Sequence, residues 1–161
     1  MPHLRTSTAA LTLLLMTATT AALASDEKAI VQTFYDFLSN PASEQHASAF
    51  MDATADDWQS IGDYSGKNKN SEQFVGQVSG FFAKLMPDLK WDVQEMIQQD
   101  NKVVVRSRAS GTPQGLLFGV DGEGRRFDIL TIDIHTIENG KIVSSFHVED
   151  WSGALQQLQG K

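Results

Sequence analysis

Phe127-Asp128-Ile129-Leu130-Thr131-Ile132-Asp133-Ile134-His135-Thr136-Ile137-Glu138-Asn139-Gly140-Lys141-Ile142-Val143-Ser144-Ser145-Phe146-His147-Val148-Glu149-Asp150 is the stretch on which the fold turns. Apolar residues recur at every second position on both sides of Asn139-Gly140, the period of a strand with one buried face. Asn-Gly supplies two consecutive residues that tolerate positive φ, which a two-residue type I′ hairpin needs. The stretch therefore predicts two antiparallel strands, Phe127 to Ile137 and Ile142 to Asp150.

Upstream the same period continues. Trp91, Val93, Glu95 and Ile97 alternate with polar neighbours, Asp100-Asn101 makes a turn, and Val103-Val104-Val105 opens a strand reaching about Thr112. Earlier still the period is helical. Ile30, Val31, Phe34, Phe37 and Leu38 mark a helix from Asp26 to Asn40, stopped by Pro41. A short helix is expected from Ala42 or Ser43 to about Ala53. Next comes a polar, Gly-containing segment through Trp58, Ile61 and Tyr64 to Asn70, then a helix from Glu72 to Met86 capped by Ser71. Trp151 to Leu158 forms a short terminal helix. Helices followed by a run of strands predict an α+β fold, a curved antiparallel sheet with helices packed on its concave face. The connection Gly111 to Arg126, rich in glycine, is long enough to be a lid or binding loop.

At the other end, Arg5 precedes an Ala/Leu/Thr-rich stretch from about Ala9 to Leu23, closing on Ala22-Leu23-Ala24. This is the layout of a secretory signal peptide. The stretch is too short and too diluted by threonine to span a bilayer. The expected organisation is a signal peptide over 1–24, cleaved after Ala24, and a single domain over 25–161. The mature protein is then secreted or periplasmic, with no membrane association after cleavage. Thirteen Lys/Arg against twenty Asp/Glu give a net charge of −7, and no basic stripe breaks the acidic surface. Nucleic acid, which requires clustered cations, is not an expected partner. The absence of cysteine removes thiol nucleophiles, disulfides and thiolate metal sites.

Ionisable residues gather in the opening stretch. If the more apolar faces of the strands point inward, then Leu130, Ile132, Ile134, Phe146 and Val148 face the helices. Asp150 is carried inward, while Asp133, His135 and His147 point away. A β-bulge would invert these faces beyond it. A carboxylate at the end of an apolar face has the surroundings that raise its pKa and make it a general acid or base. Asp150 is accordingly the first catalytic candidate, ahead of His147, Asp133 and His135. Arg106 is the candidate anchor for a substrate anion, with Trp58, Phe82 and Phe146 as apolar lining. His135 and His147 lack a recognisable ligand spacing, so neither a metal nor a cofactor is expected. Walker, dinucleotide and Gly-x-Ser-x-Gly motifs are absent from the sequence.

The run Asn139-Gly140-Lys141-Ile142-Val143, then Phe146-His147-Val148-Glu149-Asp150-Trp151, then Gly153-Ala154-Leu155-Gln156-Gln157-Leu158 resembles the closing signature of SnoaL-like proteins. These are polyketide-cyclase and ester-cyclase relatives within the nuclear transport factor 2-like superfamily. The resemblance is good over Val103 to Leu158 and extends to the order of the N-terminal helices. It implies a cone of three helices and a strongly bent sheet around a pocket, often dimeric through the outer face of the sheet. It also implies a pocket aspartate that acts as general acid/base in an aldol closure without metal or cofactor. The family's closing strand has Trp, three intervening residues, then Asp. Here Phe146 replaces that Trp, Asp150 matches the Asp, and His147 stands where an acidic residue often follows. Three readings stay open at this point: a cofactor-free acid/base enzyme on a carbonyl compound, a small-ligand binding domain, and a dimeric assembly domain.

Overall fold

The computed structural model describes residues 16–161. The expected signal peptide lies in large part outside the described residues. Helix α1 spans Met16–Ser39, starting well before the expected Asp26, and it buries Val31, Phe34, Phe37 and Leu38 of the expected stripe together with Tyr35, while Ile30 is only partly buried. Helix α2 (Glu44–Ala53) starts at Ser43, whose hydroxyl accepts from His46 N–H. Helix α3 (Ser71–Gln77) starts one residue earlier than expected. Asn70 is its cap, accepting from Gln73 N–H at 2.9 Å while the Gln73 side chain accepts from Asn70 N–H at 3.1 Å. Ser71 is buried instead, its hydroxyl 3.3 Å from that of Thr54. A π-helical turn, Val78–Phe82, continues α3 into the last turn α4 (Ala83–Leu85). Such bulges are frequent at functional sites. Among the described residues no helix is long and apolar enough to cross a membrane.

The main sheet has five strands in the order β1-β7-β6-β3-β2. They are β1 (Thr54–Ile61), β2 (Lys90–Gln99), β3 (Lys102–Gly111), β6 (Phe127–Glu138) and β7 (Lys141–Glu149). Strand β1 runs parallel to β7 and every other neighbouring pair is antiparallel. This first strand lies in the segment expected to be irregular. The connection Gly111 to Arg126 contains a small hairpin, β4 (Leu116–Leu117) and β5 (Val120–Asp121). At the β6–β7 turn Asn139 and Gly140 have φ of 51° and 74°, the hairpin geometry their identity demands. Helix α5 (Trp151–Leu158) closes the chain.

Helices and sheet meet over an aromatic core of Phe34, Phe37, Phe50, Trp58 and Phe74, with neighbouring ring centroids 5.3–6.4 Å apart. Edge-to-face and offset contacts of this kind add to the area buried, and they hold the fold without a disulfide.

The strand faces are the reverse of the expectation. On β6 the buried row is Phe127, Ile129, Thr131, Asp133, His135 and Ile137. Leu130 and Ile134 lie on the outside, Leu130 being 55% exposed. On β7 the register shifts between Thr136 and Ile137: Ile137 pairs with Ile142 and Thr136 with Ser144, which leaves Val143 as the extra residue. The bulge flips the phase. Ile142 points inward, and beyond the bulge so do Ser145, His147 and Glu149, while Phe146 and Val148 point out at 42% and 63% exposure.

Candidate active site

Tyr35 reaches from α1 across the core to β6. Its hydroxyl donates to Asp133 Oδ2 at 2.9 Å and lies 2.9 Å from His135 Nε2. A phenol has one proton, so His135 Nε2 must be the donor in the second contact. A neutral imidazole then has its acceptor at Nδ1, which takes the hydroxyl proton of Ser145 at 2.8 Å. Ser145 in turn accepts from Trp58 Nε1 at 3.0 Å. Counting protons thus sets one direction for the whole chain, from Trp58 through Ser145, His135 and Tyr35 to the Asp133 carboxyl. Burial holds His135 neutral, its pKa lowered to about 3. Burial likewise pushes the Tyr35 phenol well above its ordinary value, with the Asp133 charge adding to it.

Asp133 is 3% exposed. Its pKa is raised to about 7, chiefly by burial; the Tyr35 hydrogen bond opposes the rise and the Glu149 charge adds to it. Asp133 lines a cavity of about 170 Å³ together with Phe34, Phe74, Phe82, Trp91, Phe118, His147 and Glu149. His147 is the direct cross-strand partner of Asp133. Its Nδ1 lies 2.8 Å from Glu149 Oε1 and its Nε2 lies 3.0 Å from Ser60 Oγ. Burial disfavours the imidazolium, but the hydrogen bond and charge of Glu149, helped by Asp133, outweigh it and raise the His147 pKa. Glu149 is held from its other oxygen by Trp151 Nε1 at 3.2 Å. Trp151 lies flat against Phe82, 6.1 Å between centroids and 6° between planes, and Phe118 meets it edge-on at 5.6 Å.

The expected site is therefore rearranged. Asp133, His135 and His147 are inside, which corrects the outward assignment, and Phe82 lines the cavity. Asp150, first in the expected ranking, is exposed and caps α5, accepting from Gly153 N–H at 2.8 Å. Arg106 lies on the outer face of β3, 3.4 Å from Glu95. Trp58 is sealed in the core. Phe146 borders a different, shallower groove of about 260 Å³ on the outer face. Tyr35, Ser60, Lys69 and Glu149 were not among the expected site residues. Glu149 carries a sequence signal, standing two residues from His147 on one strand face. Ser60 and Lys69 carry none, because neither β1 nor the isolated bridge from Ser60 to Lys69 has a sequence signal. Among the described residues no group of three or more His, Asp or Glu is placed to hold a metal ion.

A family model described as SnoaL-like polyketide cyclase matches residues 29–158. No curated protein matches the sequence. Among solved structures, TsrD from Streptomyces laurentii is 19% identical, with a TM-score of 0.72 over 85% of this chain and 97% of that one. IdmH from Streptomyces antibioticus is 23% identical, with a TM-score of 0.70 over 83% and 98%. A SnoaL-like polyketide cyclase from Agrobacterium tumefaciens is 17% identical, with a TM-score of 0.66 over 82% and 97%. At these identities the likeness to solved structures is one of fold.

Proposed function

The chain belongs to the SnoaL-like polyketide cyclase family, and from that premise we propose that its cavity performs cofactor-free proton transfer on a small carbonyl compound, with Asp133 as the base. The observation that carries this reading is Asp133 itself. It is a buried carboxyl with a single fixed donor at Oδ2, opening into an apolar cavity opposite His147. With Oδ2 taken by Tyr35, Oδ1 is left to accept a proton from a carbon next to the substrate carbonyl. The C–H bond breaks and its electron pair passes into the enolate. His147, charged and held by Glu149, donates from Nε2 toward the enolate oxygen. The enolate carbon then attacks a second carbonyl of the same molecule, or is reprotonated at another position. These outcomes are cyclisation and isomerisation. A base and an acid with pKa values drawn toward neutrality are the pairing such chemistry requires.

Size narrows the substrate. A cavity of about 170 Å³ is below the ~300–1,000 Å³ of pockets for drug-sized ligands and close to the ~150 Å³ that holds one benzene ring. The substrate is of single-ring size, and the β4–β5 hairpin bearing Phe118 moves if it is larger. The test is deuterium washout from the α-carbon of small cyclic diketones, followed by NMR. Asp133-dependent washout supports the reading. Washout that persists unchanged in Asp133→Asn contradicts it.

We propose export and self-association as well. The mature protein begins at Ser25 outside the cytoplasm, which intact mass of exported protein tests. The apolar outer face, with Leu130, Ile132, Ile134, Phe146 and Val148, covers itself against a second copy of the chain.

A further inference from the structure

Ser60, His147 and Glu149 make a connected series that the acid/base reading does not use as such. Ser60 Oγ lies 3.0 Å from His147 Nε2, and His147 Nδ1 lies 2.8 Å from Glu149 Oε1. All three line the cavity. Nucleophile, base and orienting carboxylate within hydrogen-bond reach in that order are the geometry by which serine hydrolases are recognised, whatever their fold. The parts come from three directions. Ser60 is on β1, paired with Ser145 of β7; His147 and Glu149 share one face of β7; and Trp151 of α5 fixes the second oxygen of Glu149.

Two other features fit the same use. Ser60 exchanges both backbone hydrogen bonds with Lys69, at 2.9 and 3.2 Å, and residues paired in that way present their side chains on one face. Lys69 and Gln77 line the cavity, and neither side chain has a hydrogen-bond partner among the described residues. Both are donors available to an oxyanion. A Cβ on Gly62 would stand 3.0 Å from His147 Cε1, so the glycine lets the imidazole edge lie against β1.

We propose that Ser60, His147 and Glu149 are a nucleophile–base–orienter series giving this protein a second activity, the hydrolysis of small carboxylic esters through an acyl-Ser60 intermediate. As Ser60 Oγ bonds to the ester carbonyl carbon, its proton passes to His147 Nε2. The carbonyl oxygen takes the negative charge beside Lys69 and Gln77. The imidazolium, with Nδ1–H on Glu149, gives its proton to the departing alkoxide as the ester C–O bond breaks, and the alcohol leaves. Water then repeats the sequence: its oxygen bonds to the acyl carbon, its proton goes to Nε2, and Ser60 Oγ departs with that proton. Acid and alcohol are the products and the side chains are restored.

This activity shares the cavity and His147 with the acid/base reading but needs the imidazole neutral, whereas that reading needs it charged. The groups facing His147 are Glu149, Asp133, Lys69 and the buried, neutral His135. Glu149 and Asp133 favour the charged form; burial and Lys69 disfavour it. The ester reaction therefore speeds up as pH rises through the His147 pKa.

The experiment uses the full mature chain with p-nitrophenyl acetate and, separately, a fluorophosphonate probe, each followed by peptide mapping. The expected result is one acetyl or phosphonyl group on Ser60, a burst of nitrophenolate that is absent in Ser60→Ala, and a Glu149→Gln burst slower on the order of 10²–10⁴-fold. Label on lysine or surface serine only, or a burst unchanged in Ser60→Ala, overturns the proposal. Ser60→Cys guards against a folding defect in the alanine variant. It supplies the sole thiol of the chain, which iodoacetamide should alkylate about ten times faster than an ordinary thiol because His147 takes its proton. An ordinary rate also overturns the proposal. The two activities have separate readouts: ester bursts report Ser60 and deuterium washout reports Asp133, so either can fail without the other.

Discussion

The two faces of β6 and β7 differ in a way that runs against the usual partition of a half-buried sheet. The inner face carries Asp133, His135, Ser145, His147 and Glu149; the outer face carries Leu130, Ile132, Ile134, Phe146 and Val148. Burying titratable groups destabilises a fold unless each is hydrogen-bonded. Here the inner row is wired through Tyr35, Trp58, Ser60 and Trp151, while burial raises the pKa of Asp133 and lowers that of His135, and Glu149 raises that of His147 against its burial. On the proposed reading the polar inner row serves chemistry in the cavity and the apolar outer row serves association on the back.

Moving the charge off the inner face is the strongest way to break the contrast. Asp133→Asn keeps an oxygen for Tyr35 but cannot take a proton, so washout from a cyclic diketone should fall on the order of 10²–10⁴-fold. Asp150→Asn, outside the cavity, should leave that rate in place, and Asp150→Ala should lose about 1 kcal/mol of stability as a helix cap. Equal loss of turnover in the Asp150 and Asp133 variants would erase the distinction between the faces.

Next in size is the pH dependence of stability. Folding raises the Asp133 pKa from 3.8 to about 7, so the folded state keeps a proton that the unfolded state releases. That contribution is whole below about pH 4 and is lost as pH rises to about 7, a change of about 4 kcal/mol. His135 has the opposite sign. Its pKa falls from 6.5 to about 3 on folding, so its contribution is whole above pH 6.5 and is lost as pH falls toward 3, by about 5 kcal/mol. Between about pH 4 and 6.5 the two slopes oppose, and urea melts of the wild type should change little. Asp133→Asn should expose the His135 slope, with stability rising with pH, and should be the more stable protein at pH 8. His135→Gln should expose the falling slope. Parallel profiles for the two variants would contradict the assignment.

The outer face gives a smaller effect. Ile134→Lys or Val148→Lys should convert a dimer to a monomer in sedimentation while moving monomer stability by no more than about 0.5–1 kcal/mol, as for exposed positions. An unchanged sedimentation coefficient would remove the association role. Smallest of all, Gly62→Ala should displace the His147 ring by a few tenths of an ångström and reduce the ester burst modestly without affecting the melt.

Much of this architecture is legible in the residue pattern. The α1 stripe, the Asn139-Gly140 hairpin and the order of helices before strands follow from spacing and turn chemistry. Strand β1 is not legible, because Asp56 and Asp57 interrupt its alternation and its parallel partner β7 is distant in sequence. The faces mislead for two reasons. On β6 both alternate rows hold apolar residues, so hydrophobicity picks Leu130, Ile132 and Ile134 over the row that holds Asp133 and His135. On β7 the Val143 bulge reverses the phase, an inversion that alternation by itself does not announce. Asp150 matches the family's closing pattern by position, but here that position is the cap of a helix. The partners that Asp133, His147 and Glu149 find outside β6 and β7 come from α1, β1 and α5, and only the fold brings them together.

The account depends most on the state of Asp133. Carboxyl carbon NMR titration of the wild type, compared with Asp133→Asn, measures it without any substrate. The expected result is a resonance with a midpoint near 7 that the variant lacks. A missing resonance that titrates near 3.8, as an ordinary aspartate does, would contradict a poised base on the inner face.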